Sequence, residues 1–385
     1  MNVVVLGGVG AMGSHTTRYL AGDPTVDRVT VAGLETERDA SARRFPELPF
    51  ESVDVRKPSA VADLVERHDV VVNATGPFFE LLAPVLSGVL EAGDVAYVDI
   101  CDDVGPTLQA LARHDEAERR GCRVLVGLGL SPGCTNLLAR MAAERLDLVS
   151  ELHTMWDLAA AVTVDDEPWD GETPAALVHW MHCCSGKAPI LLDGHWTTTQ
   201  PITRMDLATV DDAPLPGWTV AHPEPIGLAR TYPELRASLT LMRGPTRLFT
   251  LLREIRDDLD REQLTLREAA AHLAQRGIGT PITKGVERAA RANHDGAYLV
   301  AVAEGTVDGE AARAQAELIT LPPGGMGAAT GIPAAIGAIA IAGSAIPPGV
   351  HTPEAVIDPA WFFDRYASTF GRATAIRVRT ISPRS

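Results

Sequence analysis

Along the first third of the chain, apolar residues fall in short β-branched runs that alternate with stretches of helical spacing, the pattern of a parallel sheet wound on both faces by helices. The runs predict strands at Asn2 to Leu6, Arg28 to Ala32, Glu51 to Asp54, Val70 to Ala74, Ala96 to Ile100 and Arg123 to Val126. Between them, Met12 to Leu20, Pro58 to Glu66, Leu81 to Ala92 and Thr107 to Arg120 carry apolar positions at helical spacing with polar outer faces. After Asn136 the character changes. A helix from about Leu137 to Leu146 leads to longer alternating segments at Glu151 to Val164, Arg236 to Met242, Tyr298 to Thr306 and Ala311 to Thr320. Asp193-Gly194 and Val307-Asp308-Gly309 predict antiparallel hairpin turns. These features imply a second domain with a mixed or antiparallel sheet, covered by helices at Thr173 to His182 and Leu266 to Arg276.

Leu318 to Pro353 carries no charged residue and has the composition of a membrane span, but prolines cut it. The longest proline-free piece, Ala334 to Ile346, is shorter than the roughly 20 residues a bilayer needs. It is expected as a buried helix that starts at the Gly324-Gly325 break and returns to the first domain. The domain boundaries that follow are 1–134, 135–323 and 324–385, the last piece completing the first domain.

Composition narrows the function classes. With 34 basic and 50 acidic residues in 385, the net charge of −16 repels phosphate backbones and anionic lipid, so nucleic-acid and membrane partners are not expected. Five scattered cysteines form no disulfide framework, and the apolar start lacks the basic region of a signal peptide, which together predict a reducing, cytoplasmic setting.

Gly8, Gly10 and Gly13 form GxGxxG directly after the first strand, with Ala11 and Met12 opening the helix. In that context Gly8 permits a tight turn, Gly10 the approach of backbone to a pyrophosphate, and Gly13 the packing of helix on strand. The alternative is a glycine turn with a structural role only. Gly33 stands where an acid that binds the adenosine ribose is expected, with Glu35 two positions on and Arg38, Arg43 and Arg44 nearby. A missing acid beside arginines favours NADP over NAD, unless the arginines are an exposed helix face.

Asn73-Ala74-Thr75-Gly76-Pro77-Phe78, Tyr97-Val98-Asp99-Ile100-Cys101-Asp102-Asp103 and Gly127 to Ala139 resemble the saccharopine dehydrogenase-like reductases, the group of saccharopine reductase, carboxynorspermidine dehydrogenase and lysine 6-dehydrogenase. The glycine motif and Met326 to Ala335 share the resemblance, which is poor between 140 and 320. It implies a Rossmann doubly wound parallel sheet interrupted by a second α+β domain, and hydride transfer between nicotinamide and a C–N bond of an amino-acid-derived substrate in a cleft between the domains. By the same resemblance Asp54 and Val55 contact adenine, and Asn73, Ala74, Thr75 and Gly76 pass the pyrophosphate and nicotinamide ribose. Ser131, before Pro132-Gly133, replaces the acid common in saccharopine reductases, which makes saccharopine itself a doubtful substrate.

Imine chemistry needs a proton carrier, a cation for the substrate carboxylate and a dry pocket. Asp99, Asp102 and Asp103 follow the fifth strand and are candidates to bind an ammonium or move a proton, or else to cap the next helix. His179 and His182 lie one helical turn apart, as a pocket wall with one acid–base histidine or as a helix C-terminus; no third metal ligand stands at sensible spacing, so no metal is expected. Cys183 and Cys184 read as core. Arg243 is the choice for the carboxylate, with the Arg-Gly pair resembling the lysine 6-dehydrogenase group, and a strand-end surface arginine as its alternative. His222 and Glu224 sit in a proline-broken loop as further substrate contacts. Two other functions remain open: a same-scaffold reductase of C=C or C=O bonds, and a non-catalytic NADP-binding regulator. The open sheet of the second domain predicts a homodimer.

Overall fold

The computed structural model describes residues 1–158, 175–277, 296–343, 345–370 and 376–381, and its contacts divide the chain into two compact units. The first comprises Met1–Cys134 and Gly327–Asp358. Its sheet contains β1 (Asn2–Leu6), β2 (Arg28–Gly33), β3 (Phe50–Ser52), β4 (Val70–Asn73), β5 (Ala96–Asp99), β6 (Arg123–Leu125) and, from the late segment, β15 (Gly349–His351). The strand order is β15-β6-β5-β4-β1-β2-β3 and every pairing is parallel. Strands buried on both faces must be apolar throughout, and Val3, Val4, Val5, Leu6, Val70, Val71 and Val72 are fully buried. The order reverses between β1 and β4, and such a switch point is where an open α/β sheet leaves a crevice beyond its carboxyl ends.

Around this sheet run α1 (Ala11–Ala21), α2 (Arg38–Arg44), α3 (Pro58–Val65), α4 (Phe78–Ala92), α5 (Val104–Leu111) and α6 (His114–Arg119). The charge-free segment forms one helix, Gly325–Ala342, which starts at the expected Gly324-Gly325 break and runs through Pro333. By length and composition alone it is long and apolar enough to cross a membrane. Its small residues are spent on packing: a Cβ on Gly331 would stand 2.2 Å from the Met12 carbonyl oxygen, one on Gly337 2.3 Å from a Leu128 methyl, and Thr16 donates to the Gly331 carbonyl at 2.8 Å.

The second unit comprises Thr135–Met326 and Pro359–Ser385. Its strands are β7 (Leu148–Asp157), β8 (Ala188–Leu192), β9 (His195–Thr199), β10 (Arg204–Ala208), β11 (Pro214–Thr219), β12 (Thr240–Arg243), β13 (Leu299–Val307), β14 (Glu310–Leu318) and β16 (Ile376–Ile381). The large sheet runs β10-β11-β12-β7-β13-β14-β16, antiparallel except where β12 lies parallel to β7, and β8–β9 form a separate hairpin. Both expected hairpin turns place their two central residues at positive φ: Asp193 (49°) with Gly194 (77°), and Asp308 (53°) with Gly309 (80°). Helices α7 (Cys134–Ala143), α8 (Ala175–Cys183), α9 (Glu224–Thr231), α10 (Thr246–Asp260) and α11 (Leu266–Gly277) accompany the sheet, with Phe249 of α10 stacked on Trp218 of β11 at 3.8 Å.

One boundary differs from the sequence expectation. Only Gly327–Asp358 of the last piece belongs to the first unit, because β16 pairs with β14 along Ile376 to Ile381. The alternating Ile-Arg-Val-Arg-Thr-Ile lays Arg377 against Glu317 at 2.7 Å and Arg379 against Asp211 at 2.6 Å, so a charged tail becomes an edge strand. Gly331→Val should lower stability by about 1–3 kcal/mol through overpacking. Gly105→Ala, whose added Cβ meets nothing within 4 Å, should be neutral or slightly stabilising, and thermal unfolding of both variants checks the contrast.

Candidate functional site

Between β1 and α1 the chain turns back on itself, with the Gly10 amide donating to the Gly7 carbonyl at 3.0 Å. The left-handed residue of this turn is Gly7 (φ 71°), not Gly8; a Cβ on Gly8 would instead press on Thr17 Oγ1 at 2.9 Å. Gly13 has the packing role expected of it, since its Cβ would stand 2.2 Å from the Gly7 carbonyl oxygen. Gly10 is the N-cap of α1, no side chain caps that end, and no acidic residue occupies its first turn. Gly10 and Ala11 are exposed and Met12 is half-buried. An uncapped helix end behind a glycine turn leaves amides and the positive end of the dipole to an anion, so these residues fit a dinucleotide pyrophosphate.

At the end of β2 a carboxylate from the following helix folds back on the backbone. The Glu37 carboxylate accepts from the Leu34 amide at 2.8 Å and lies 2.1 Å from the place a Gly33 Cβ would take. Arg38 grips Glu35 with both nitrogens, at 2.6 and 3.0 Å, and lies over the Phe50 ring; the hydrogen bond lowers the Glu35 pKa and raises that of Arg38. Arg44 donates to the Val9 carbonyl at 2.7 Å and fastens α2 to the glycine turn. Past β3, Asp54 is held by Arg56, whose hydrogen bond lowers its pKa, and Val55 is buried.

Asn73 ends β4 fully buried. Its amide donates to the Tyr97 hydroxyl at 3.0 Å and its oxygen accepts from the Thr75 amide at 3.0 Å, so it shapes the Ala74–Gly76 loop from beneath. That loop approaches the glycine turn: a Cβ on Gly7 would meet the Ala74 carbonyl oxygen at 3.0 Å. At the end of β5, Asp99 accepts from the Cys101 and Gly127 amides at 3.0 and 2.8 Å, and burial raises its pKa to about 6. Asp103 is the N-cap residue of α5, but its carboxylate makes no capping hydrogen bond, and Asp102 beside it is half-buried. Ser131 is half-buried in the tight turn ahead of α7, where the Cys134 amide donates to the Gly129 carbonyl at 3.0 Å.

The second unit gathers His179, His182, His222 and Glu224, all singled out in the sequence, around a residue that was read as core, Cys183. The Ala221 amide donates to the Cys183 carbonyl at 3.0 Å and so brings the loop carrying His222 against the end of α8. Cys183 Sγ lies 3.2 Å from His179 Nε2. His222 Nδ1 lies 3.5 Å from Glu224 Oε2, its ring stacks on Trp156 at 6.0 Å, and Glu224 Oε1 accepts from Thr135 Oγ1 at 3.1 Å. Glu224 is wholly buried and His222 is 4% exposed. Burial opposes charge on His222, but the Glu224 carboxylate and Cys183 outweigh it and hold its pKa well above the usual imidazole range. Burial likewise opposes ionisation of Cys183, yet His179 and hydrogen bonds from His179, His182 and His222 bring it down to about 6. The signal available in the sequence was the i, i+4 spacing that puts Cys183 on the His179 face of one helix.

Arg243 does not stand ready for a carboxylate. It is paired in register with Asp157 across β12 and β7, with Nε at 2.8 Å and Nη2 at 2.7 Å from Oδ2, and Nη2 also donates to the Ala297 carbonyl at 3.0 Å. The cause is topological: the parallel pairing of β12 with β7 sets an acid directly opposite the arginine, which no local pattern shows. The end of the expected strand to Val164 and the start of the expected helix at Thr173 lie outside the described residues.

Removing the ring of His222 should be felt in its partners, whereas removing Arg243 should be felt in the sheet. Arg243→Ala is expected to cost about 1.5–3 kcal/mol, the worth of hydrogen bonds to a charged group, and to leave nucleotide affinity unchanged. Thermal unfolding beside a nucleotide titration checks this, and unchanged stability would show that the pair with Asp157 does not hold the sheet.

Residues 3–125 match the family described as Saccharopine dehydrogenase NADP binding domain. Among solved structures, the apo histidine-tagged saccharopine dehydrogenase (L-Glu forming) of Saccharomyces cerevisiae shares the fold, with TM-score 0.62 over 99% of both chains at 15% identity. A trans-acting enoyl reductase of Mycobacterium ulcerans is 25% identical over 152 residues, 37% of this chain and 36% of its own. A Mycobacterium tuberculosis protein, provisionally named as the same kind of enzyme, is 26% identical over 159 residues, 39% of this chain and 38% of its own. The chain thus matches little more than a third of the length of these relatives. The nucleotide domain is thus similar in sequence to the saccharopine dehydrogenase NADP binding domain, and the fold of the whole chain is that of a saccharopine dehydrogenase.

Proposed function

We propose that the protein is an NADP-dependent reductase of a polarised double bond, with the enoyl class, C=C conjugated to a carbonyl, as its substrate. The observation that carries the redox reading is the uncapped N-terminus of α1 behind the glycine turn, at the switch point of a sheet whose sequence matches an NADP binding domain. NADP, when bound, supplies or accepts the hydride. Gly10, Ala11 and Met12 present amides to its pyrophosphate, Asn73 holds the Ala74–Gly76 loop in shape, and Arg38 is the cation for the ribose phosphate, exchanging Glu35 for it.

The other half of a reduction is a proton. His222 holds one at neutral pH because Glu224 faces its Nδ1, and the ring lies stacked beside Trp156. The enoyl class is favoured because the arginine on which a carboxylate-bearing amino acid depends is committed to Asp157, and because the curated relatives that match are named trans-acting enoyl reductases. A second reading, reduction or oxidation of a C–N bond, draws support from Asp99, Asp102 and Asp103 at the carboxyl end of β5, where an ammonium would find negative charge.

Purified protein with NADPH should consume the nucleotide on addition of an enoyl thioester and not with a keto acid plus amine; turnover with the latter alone selects the C–N reading, and turnover with neither removes both. His222→Gln should lower kcat about 100- to 10,000-fold with KM little changed, the range for loss of a general acid. Arg38→Ala should weaken NADPH binding about tenfold or more while sparing NADH. Equal loss of both nucleotides in a fluorescence titration would show that Arg38 does not read the phosphate.

A further inference from the structure

The hydride-transfer reading leaves Cys183 unused. Four of the five cysteines are buried thiols whose pKa burial pushes up: Cys101, Cys122, Cys134 and Cys184. Cys183 is equally buried, yet it lies 3.2 Å from His179 Nε2, beside the loop that carries His222, with Glu224 behind that ring at 3.5 Å. A thiol, an imidazole and a carboxylate in sequence are the parts of an activated nucleophile, in which the imidazole keeps the sulfur ionised and the carboxylate orients the imidazole. The carboxylate is itself fixed by Thr135. Near the sulfur the chain also supplies an apolar wall, since Trp180 donates from its indole to Met242 Sδ at 3.5 Å and Trp156 covers His222.

We propose that Cys183 is a nucleophilic thiol that takes α,β-unsaturated carbonyl compounds by conjugate addition, with His222, oriented by Glu224, as the proton source. In the step, the Cys183 sulfur forms a bond to the β-carbon and the C=C π pair becomes the enolate. The His222 proton then passes to the α-carbon. One C=C bond and one N–H bond are lost, one C–S and one C–H bond are gained, nothing leaves, and no oxidant or reductant is consumed. The buried thiolate–imidazolium pair becomes a neutral thioether and a neutral imidazole, so low polarity around the cluster favours the adduct. A thiolate is a soft, polarisable nucleophile and the β-carbon of an enone is its natural partner. Within the second unit, the titratable groups around the sulfur are His179 and His182 on its own helix, His222 on the loop, Glu224 on α9 and Cys184 next in the chain, with Arg256 of α10 acting on Cys184. The step needs no nicotinamide, so it stands or falls separately from the reductase reading.

N-ethylmaleimide, a small α,β-unsaturated imide, tests the site in the full-length native protein, with peptide mass mapping to locate the adduct. Cys184 is the internal control, being buried and adjacent but held well above the usual thiol range by burial and by Cys183. The expected result is alkylation at Cys183 ahead of Cys184, with a rate that is half-maximal near pH 6 and level by about pH 8. His179→Gln, which removes the imidazole 3.2 Å from the sulfur, should move that midpoint up toward about 8.5, the value of an ordinary thiol, and His222→Gln should move it part of the way. No adduct on Cys183 in the folded protein, equal labelling of Cys184, or a rate still rising about tenfold per pH unit through pH 8 overturns the proposal. The wild-type profile alone decides this if either variant fails to fold.

Discussion

The first unit depends on backbone touching backbone. The β1–α1 turn closes on itself with α1 running directly over Gly7, and α1 in turn receives the late helix, so that a single added methyl at Gly13 or Gly331 would drive a carbon to 2.2 Å from a carbonyl oxygen. Packing of that closeness leaves no room to move the helix end, and it is this rigidity that keeps the first amides of α1 presented in the crevice of the sheet. The Arg44 bond to the Val9 carbonyl and the Asn73 bonds beneath the Ala74–Gly76 loop work to the same end, holding the loops on both sides of the crevice from below.

In the second unit the governing constraint is electrostatic. Glu224 is wholly buried, and an isolated carboxylate in such a place would be neutralised. It persists as a partner for His222, whose charge is in turn shared with Cys183, so three groups that would each resist burial support one another. A chain of this kind is a poor device for stability alone, because replacing a buried ion pair with apolar residues is often neutral or stabilising. It places a thiol, an imidazole and a carboxylate side by side, the parts that acid–base and nucleophilic chemistry require.

The first sheet was legible because buried parallel strands write themselves as short valine-rich runs and because the glycine spacing is local. The seventh strand, Gly349–His351, was not, since three residues carry no period. Similarly, β16 hides in an arginine-rich tail whose partner acids lie about sixty and more than 160 positions away in the chain. In the site, His179, His182, His222 and Glu224 were found by residue type, but what they surround was missed, because Cys183 beside Cys184 has the look of core. Arg243 was misjudged for the converse reason: its role is set by the strand it faces, and a parallel neighbour more than eighty residues earlier leaves no mark on the local sequence. Glu37 illustrates the same limit at short range, folding back one helical turn to accept from the Leu34 amide.

The central claim is that NADP lies on the α1 end of the first sheet. Amide hydrogen exchange with and without NADPH tests it residue by residue. The account predicts slowed exchange in 7–13 and in 73–76, where the glycine turn and the Asn73 loop meet the cofactor. Unchanged exchange in both segments at saturating nucleotide would contradict it.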